Sequence, residues 1–302
     1  MSYRSVFRPD LFAEQTIIVT GGGSGIGRCT AHELASLGAH PVLIGRKLDK
    51  LERVVAELRD DGGQASCHTL DIRDEASVRA TVKAILAERG AVHGLVNNAG
   101  GQYTAPLEAI NQKGFETVVR TNLVGGFLMA REVFSQHMSK HGGAMVNIVA
   151  DMWNGMPGMG HSGAARAGMI NFTKTAAIEW SRAGVRVNAV APGWIASSGM
   201  DTYPDMVKAM IPMLAKAVPL KRLGTESEVS AAICFLLSPA AAFVTGTTVR
   251  VDGAAPNMPH HWPMPDHDRS LPFDGFHRSS LPDDLRRLTK LDKLPEPPQP
   301  KD

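Results

Sequence analysis

The sequence predicts an α/β chain folded as one doubly wound, seven-stranded parallel sheet with helices on both faces. Three observations lead there. Short apolar and β-branched runs alternate with helix-like segments of roughly 12 to 25 residues. A glycine-rich turn stands between the first such run and the first helical pattern. The 302 residues, 43% of them hydrophobic, supply ample material for a core covered on two sides.

Thr16 to Thr20 (TIIVT) reads as the first strand and Arg28 to Leu37 as the first helix. His40 to Ile44, Ser66 to Leu70 and Gly94 to Val96 follow as strands two to four. Met145 to Val149, Val185 to Val190 and Thr247 to Val251 complete the set. Near-continuous apolar strands separated by helices favour a parallel sheet buried on both faces, with ligands bound beyond the carboxyl ends of the strands. Composition shifts after Gly253. Residues 1–254 are therefore expected to form a single catalytic domain, and 255–302 a Pro/His-rich tail that wraps the domain surface and then frays. His260, His261 and His267 in that tail lack helical i,i+4 or cysteine spacing, so a solvated loop is expected and no metal.

Charge excludes several classes of partner. The net formal charge is only +2 and the basic residues are scattered, so neither nucleic acid nor a membrane surface is expected, and the partner is a small molecule. The N-terminal MSYRSVFRPDLFAEQ has no apolar signal core, and no stretch of about 18 apolar residues occurs. Cys29, Cys67 and Cys234 are far apart without metal spacing, which suits buried thiols in a reducing, cytoplasmic compartment.

The turn Thr20-Gly-Gly-Gly-Ser-Gly-Ile-Gly27 carries the strongest signal. Glycines let backbone approach a pyrophosphate, whose charge meets the free N–H groups of a helix N-terminus. Thr20, Gly21, Ser24, Gly25, Ile26 and Gly27 are thus candidate nucleotide contacts in a Rossmann-type domain. The second strand ends Ile44-Gly45-Arg46-Lys47, with no acid to hold a ribose 2′-hydroxyl. Arg46 and Lys47 offer cations to a 2′-phosphate, so the expected cofactor is NADP(H). Asp71, followed by Ile72, is placed to accept from an adenine amino group, or else to cap the turn.

From Thr16 to Gly253 these features resemble the short-chain dehydrogenase/reductase family. The resemblance rests on the glycine loop, Asn97-Asn98-Ala99-Gly100, Asn122 within Thr121-Asn-Leu-Val-Gly125, and Arg186-Val-Asn-Ala-Val-Ala-Pro-Gly193. It implies that Asn98, Ala99 and Gly100 line the adenosine half, that Asn122 anchors an active-site water, and that Pro192, Gly193 and Ile195 lie near the nicotinamide. It also implies a homo-oligomer, a tetramer through the helices beginning near Gly114 and Ser162.

Members of that family use a serine and a Tyr-x-x-x-Lys pair. Here Ser162 stands at the tyrosine position, Arg166 at the lysine position and Ala150 near the serine position. Guanidinium can hold a ribose but stays protonated, and a serine hydroxyl is too weak an acid to replace a phenol. Carbonyl interconversion loses its usual proton relay. Reduction of a double bond conjugated to a thioester needs instead donors for a developing enolate and a proton at the α-carbon. His161-Ser-Gly-Ala-Ala-Arg-Ala-Gly168, Asn98-Ala-Gly-Gly-Gln-Tyr103 and Pro265-Asp-His-Asp268 are similar to the peroxisomal trans-2-enoyl-CoA reductase branch, close to the dienoyl-CoA reductases. The chain ends Pro300-Lys301-Asp302 rather than in a Ser-Lys-Leu-type address, so a cytoplasmic enzyme is expected.

Ser162 is the candidate donor to the thioester oxygen. Asp151 and Tyr103 are candidate proton sources, with a turn cap and a wall of the cleft as their respective alternatives. Methionines 200, 206, 210 and 213 lie in the expected lid, where they suit an apolar acyl chain or simple helix packing. The leading expectation is an NADPH-dependent reductase of an enoyl-CoA-type thioester. The alternatives are a dehydrogenase of a terpenoid or medium-chain alcohol such as citronellol, and a catalytically weak NADP(H)-binding protein.

Overall fold

The computed structural model of the chain describes residues 2–197, 200, 205–258 and 264–294. Its elements run β1 (Thr16–Thr20), α1 (Gly25–Ser36), β2 (His40–Gly45), α2 (Leu48–Asp60), β3 (Ser66–Thr69), α3 (Glu75–Arg89) and β4 (Gly94–Asn97). Then come α4 (Gln112–Val119), α5 (Gly125–Val133), α6 (Ser139–His141), β5 (Gly143–Ile148), α7 (Gly160–Trp180) and β6 (Val185–Pro192). The last are β7 (Ile195–Ala196), α8 (Asp205–Ala217), β8 (Gly224–Thr225), α9 (Glu226–Leu237), β9 (Thr248–Val251) and α10 (Asp283–Thr289).

Seven strands pair in parallel in the order β3-β2-β1-β4-β5-β6-β9, while β7 and β8 form a separate small sheet. The chain winds outward from β1 to β3, then crosses back to place β4 on the other side of β1. That reversal opens a crevice at the carboxyl ends of β1 and β4. All seven expected strands are present, with shifted ends: β5 begins at Gly143 rather than Met145, and β6 runs on to Pro192.

Strand alternation fills both faces. Ile17 and Val19 of β1 pack with Leu34, Leu51, Leu58 and Ile233, whereas Ile18 packs with Val82, Ile85, Met129 and Val133 on the opposite side. Each fully buried side chain of this kind contributes about 1.5–3 kcal/mol. A capping box starts α9: Thr225 Oγ1 accepts from the Glu228 N–H, and Glu228 Oε2 accepts from the Thr225 N–H. Cys29 and Cys234 are buried as expected, but Cys67 is only partly so because β3 is the edge strand.

The described part of the tail, residues 255–258 and 264–294, is more structured than its composition suggests. Arg278 grips Asp61 with Nη2 at 2.8 Å from Oδ1 and Nε at 3.0 Å from Oδ2. His277 Nε2 lies 2.9 Å from Asp61 Oδ2, and His32 Nδ1 lies 3.2 Å from the same oxygen. Although His32, Asp61 and His277 converge, the Arg278 guanidinium already takes the carboxylate, so the group acts as a clasp between tail and domain. Farther on, Leu285 of α10 packs with Ile211 and Ala215 of α8 and with Leu223. The Leu223 N–H donates to the Leu288 carbonyl. His267 is half-buried, its Nε2 2.9 Å from the Pro219 carbonyl oxygen, while His260 and His261 lie outside the described residues.

Candidate active site

The crevice between β1 and β4 is a cleft of about 320 Å³ lined by Gly21, Ser24, Arg46, Lys47, Asp71, Ile72 and Asn98 to Gly100, among others. Its floor is rigid for identifiable reasons. Thr20 Oγ1 accepts from both the Asn98 and Ala99 N–H groups at 2.9 Å, and Asn98 Nδ2 donates to the Thr20 carbonyl at 3.0 Å. Gly21 has φ +68°, and a Cβ on Gly27 would run into the Gly21 carbonyl oxygen. Two positions thus require glycine to let the turn close against the start of α1. Ser24 is the N-cap of α1 but makes no side-chain cap bond, and Gly25 follows with φ +57°. Ile26 packs against the core beneath them.

Arg46 and Lys47 are exposed at the rim. Asp71 is committed locally: it accepts from Arg73 Nη2 at 2.5 Å and from the Arg73 backbone N–H at 3.0 Å. The Arg73 side chain holds the Asp71 carboxyl down to about 2. Arg73 itself lines the cleft, a third cation that the sequence reading missed. Pro192 and Gly193 sit at the end of β6, where Gly193 packs against Asp252, and Ile195 is buried in β7.

Asn122, Ser162 and Arg166 come together. Asn122 occupies a wide π-type turn (Arg120–Val124) between α4 and α5, a local widening that often marks functional positions. Its Oδ1 accepts from the Gly101 N–H at 2.9 Å, and its Nδ2 donates to the Gly101 carbonyl at 3.0 Å and toward Ser162 Oγ at 3.5 Å. Arg166 projects from α7, and its Nη1 donates to the Ile148 carbonyl at the end of β5. Burial pushes its guanidinium down to about 10, so it remains cationic near neutrality. Ser162, fully buried, donates to Gln102 Oε1 at 2.7 Å. Neither Gln102 nor the Ile148 carbonyl was evident from spacing.

The two candidate proton sources lie in different surroundings. Asp151 accepts from the Trp153 backbone N–H, and its own N–H donates to the Pro192 carbonyl. Burial and then the neighbouring Asp252 raise its carboxyl, against the opposing pull of Arg250. Arg250 pairs with Asp252 at 2.8 Å and lies over the Trp153 ring at 4.9 Å. Tyr103 packs edge-on against His161, ring centres 4.5 Å apart, with its hydroxyl against Gly114 of α4. His161 Nδ1 accepts from the Ser162 backbone N–H, so its other nitrogen carries the proton when the ring is neutral. Of the methionines in the expected lid, Met200 is buried and Met210 and Met213 are exposed, while the Met206 side chain lies outside the described residues.

The residues fit a dinucleotide. Beyond the glycine cradle, Arg166 Nε is buried with no acceptor among the described residues, an unmet donor that costs about 1–3 kcal/mol until a ligand oxygen satisfies it. A doubly wound parallel sheet, this cradle and the Asn122-Ser162-Arg166 cluster define an oxidoreductase of the short-chain dehydrogenase/reductase family, and the chain belongs to that family. Residues 21–254 match the family described as "Enoyl-(Acyl carrier protein) reductase". Members of the wider family bind NAD(P).

Among individual proteins, the chain is 34% identical over 244 residues to a probable 2,4-dienoyl-CoA reductase of Bacillus subtilis, covering 80% of this chain and 96% of that protein. It is also 34% identical over 257 residues to the peroxisomal 2,4-dienoyl-CoA reductase of Danio rerio, covering 84% and 85%. A solved citronellol catabolism dehydrogenase of Pseudomonas aeruginosa PAO1 is 66% identical, with a TM-score of 0.76, covering 84% of this chain and 99% of that one. The resemblance to the dienoyl-CoA reductase branch is therefore established. Among the described residues no helix is long and apolar enough to cross a membrane.

Proposed function

We propose that the protein uses NADPH to reduce the carbon–carbon double bond of an enoyl-CoA-type thioester. The observation that carries this reading is the pair Ser162 and Arg166 in place of the family's tyrosine and lysine. Arg166 is buried and stays cationic, so it holds and orients but relays no proton. The cofactor, when bound, supplies hydride. Arg46 and Lys47 are the groups to meet a 2′-phosphate, the α1 N-terminus meets the pyrophosphate, and Arg166 meets the nicotinamide ribose. Polar groups around Ser162 receive the thioester oxygen, whose negative charge grows during reduction. Asp151, with its carboxyl raised, is the favoured source of the α-carbon proton.

Exposed Phe115, Phe127 and Ile178 on α4, α5 and α7 support a homo-oligomer, a tetramer, assembled through these helices. A cytoplasmic location fits the same reading. The deciding experiment is NADPH oxidation by purified protein with straight and methyl-branched enoyl- and dienoyl-CoAs, beside aldehydes. Rapid thioester reduction with little aldehyde turnover supports the proposal.

A second reading is favoured by one specific observation, the 66% identity to the citronellol catabolism dehydrogenase. It makes the protein a dehydrogenase of a terpenoid alcohol. Rapid citronellol oxidation with no thioester reduction would establish it in place of the first.

A further inference from the structure

A neutral imidazole carries one N–H, and His32 faces a carboxylate at each of its nitrogens. Its Nε2 lies 3.3 Å from Glu57 Oε2 and its Nδ1 lies 3.2 Å from Asp61 Oδ2. Burial pulls the His32 ring down to about 4, against the opposing bond to Glu57, so the ring is neutral near pH 7. Burial works to raise both carboxyls, but Arg28 on Glu57 and Arg278 on Asp61 outweigh it and keep them anionic. The Glu57 contact has hydrogen-bond geometry, which puts the single proton on Nε2. The Nδ1 lone pair is left against an anionic oxygen, an opposition that a cation between them relieves.

A second imidazole meets the same oxygen. His277 Nε2 lies 2.9 Å from Asp61 Oδ2 but off the line of a hydrogen bond, and both its ring nitrogens are buried without a hydrogen-bond partner among the described residues. Donors around a small ion are arranged in this way: with bonds of about 2.0–2.2 Å they sit about 3.3 Å apart, each aimed past its neighbour at a common centre. The three donor atoms lie within 4.8 Å of one another, and the two rings meet at 76°. The frame is fixed in advance. His32 belongs to α1 and Asp61 caps the end of α2, while the buried Phe276, whose N–H donates to Ser227 Oγ, anchors the tail beside His277. None of these residues lines the cleft between β1 and β4.

We propose that His32 Nδ1, His277 Nε2 and Asp61 Oδ2 bind a divalent transition-metal ion of the zinc type, with water as the fourth ligand and Glu57 as a positioning residue behind His32. Two nitrogens and one carboxylate select such an ion over Mg²⁺ or Ca²⁺, which prefer oxygen ligands. The ion completes the clasp between tail and domain, so metal binding and docking of the tail become one equilibrium.

The test uses the untagged full chain after chelator treatment. Zn²⁺ is followed by calorimetry and melting temperature, and Co²⁺ by its visible absorption. The stacked pair His137 and His141 is a competing chelate, so every protein carries His141→Ala. One Zn²⁺ per chain is expected, with the melting temperature raised by about 5 °C at a hundredfold excess over Kd. Mg²⁺ should do neither. Glu57→Gln should weaken binding about 10- to 100-fold while keeping the Co²⁺ spectrum, as a group acting through His32 must. His277→Gln, a change on the tail that spares the buried His32, should cost more and remove the tetrahedral Co²⁺ bands. His277→Cys should restore binding and add a sulfur-to-cobalt charge-transfer band. Circular dichroism of the metal-free variants confirms that they fold. No saturable Zn²⁺ binding by the parent protein, or an affinity unchanged by His277→Gln, would overturn the proposal and leave the group a purely ionic clasp.

Discussion

The Arg166 guanidinium and the Ile148 carbonyl, 2.5 Å apart, fasten the start of α7 to the end of β5. The side chain at the family's lysine position is thus tied to the sheet, and in the proposed function it also meets the nicotinamide ribose. Its replacement by lysine changes reach and donor number together.

Restoring the family's ordinary pair, Ser162→Tyr with Arg166→Lys, is accordingly expected to leave carbonyl reduction poor. The bond to Ile148 is lost, a phenol must enter a fully buried position beside Gln102 and Asn122, and no serine stands near Ala150. Groups acting as one unit do not contribute additively. Aldehyde reduction by the double variant, measured against the wild type, checks this; robust turnover would mean the pocket had remained a carbonyl site.

Arg46→Ala should weaken NADPH by about 1.5–3 kcal/mol and NADH far less, the size of one lost charge-assisted contact. Arg46 lines the cleft, and among the described residues it makes no ion pair. Calorimetric titration of both cofactors measures the difference. Equal losses would assign the arginine to the solvated surface.

Asp151→Asn should slow reduction and flatten its pH profile. A proton donor works while protonated, so activity depending on Asp151 is present below its carboxyl pKa and falls as pH rises through it. Because burial and Asp252 raise that pKa, the falling limb lies above the usual carboxylate range. Asp252→Asn removes one raising charge and should move the limb to lower pH. The companion Tyr103→Phe should keep a normal profile; two active variants would make water the donor.

The buried Glu226 at the start of α9 faces the glycine turn, its Oε1 3.8 Å from where a Cβ on Gly25 would sit. Burial raises its carboxyl to about 7. Below that pH it is neutral; above it, an anion sits behind the turn proposed to take the pyrophosphate. NADPH affinity is therefore expected to fall between roughly pH 6 and 8, with proton uptake on binding. Glu226→Gln should remove the slope, as read by calorimetry in buffers of different ionisation heat.

Local patterns made much of this fold legible. TIIVT followed by the glycine turn placed β1, α1 and the cradle because propensity, turn chemistry and position all point the same way. Asn122 and the altered Ser162 and Arg166 were equally visible. Hidden were the contacts that depend on chain reversal: Gln102 meets Ser162 from 60 residues away. Asp151 finds Asp252 and Arg250 only because β5, β6 and β9 are neighbours in the sheet. The tail's His277 and Arg278 reach Asp61 across a separation that no periodicity encodes.

That tail has a mechanical consequence. The stretch that defines the family ends at residue 254, yet Leu285 and Leu288 lie farther along and support the region around α8. A change in this ribbon can therefore reach α8 through packing alone, at positions outside the stretch that carries the family's motifs.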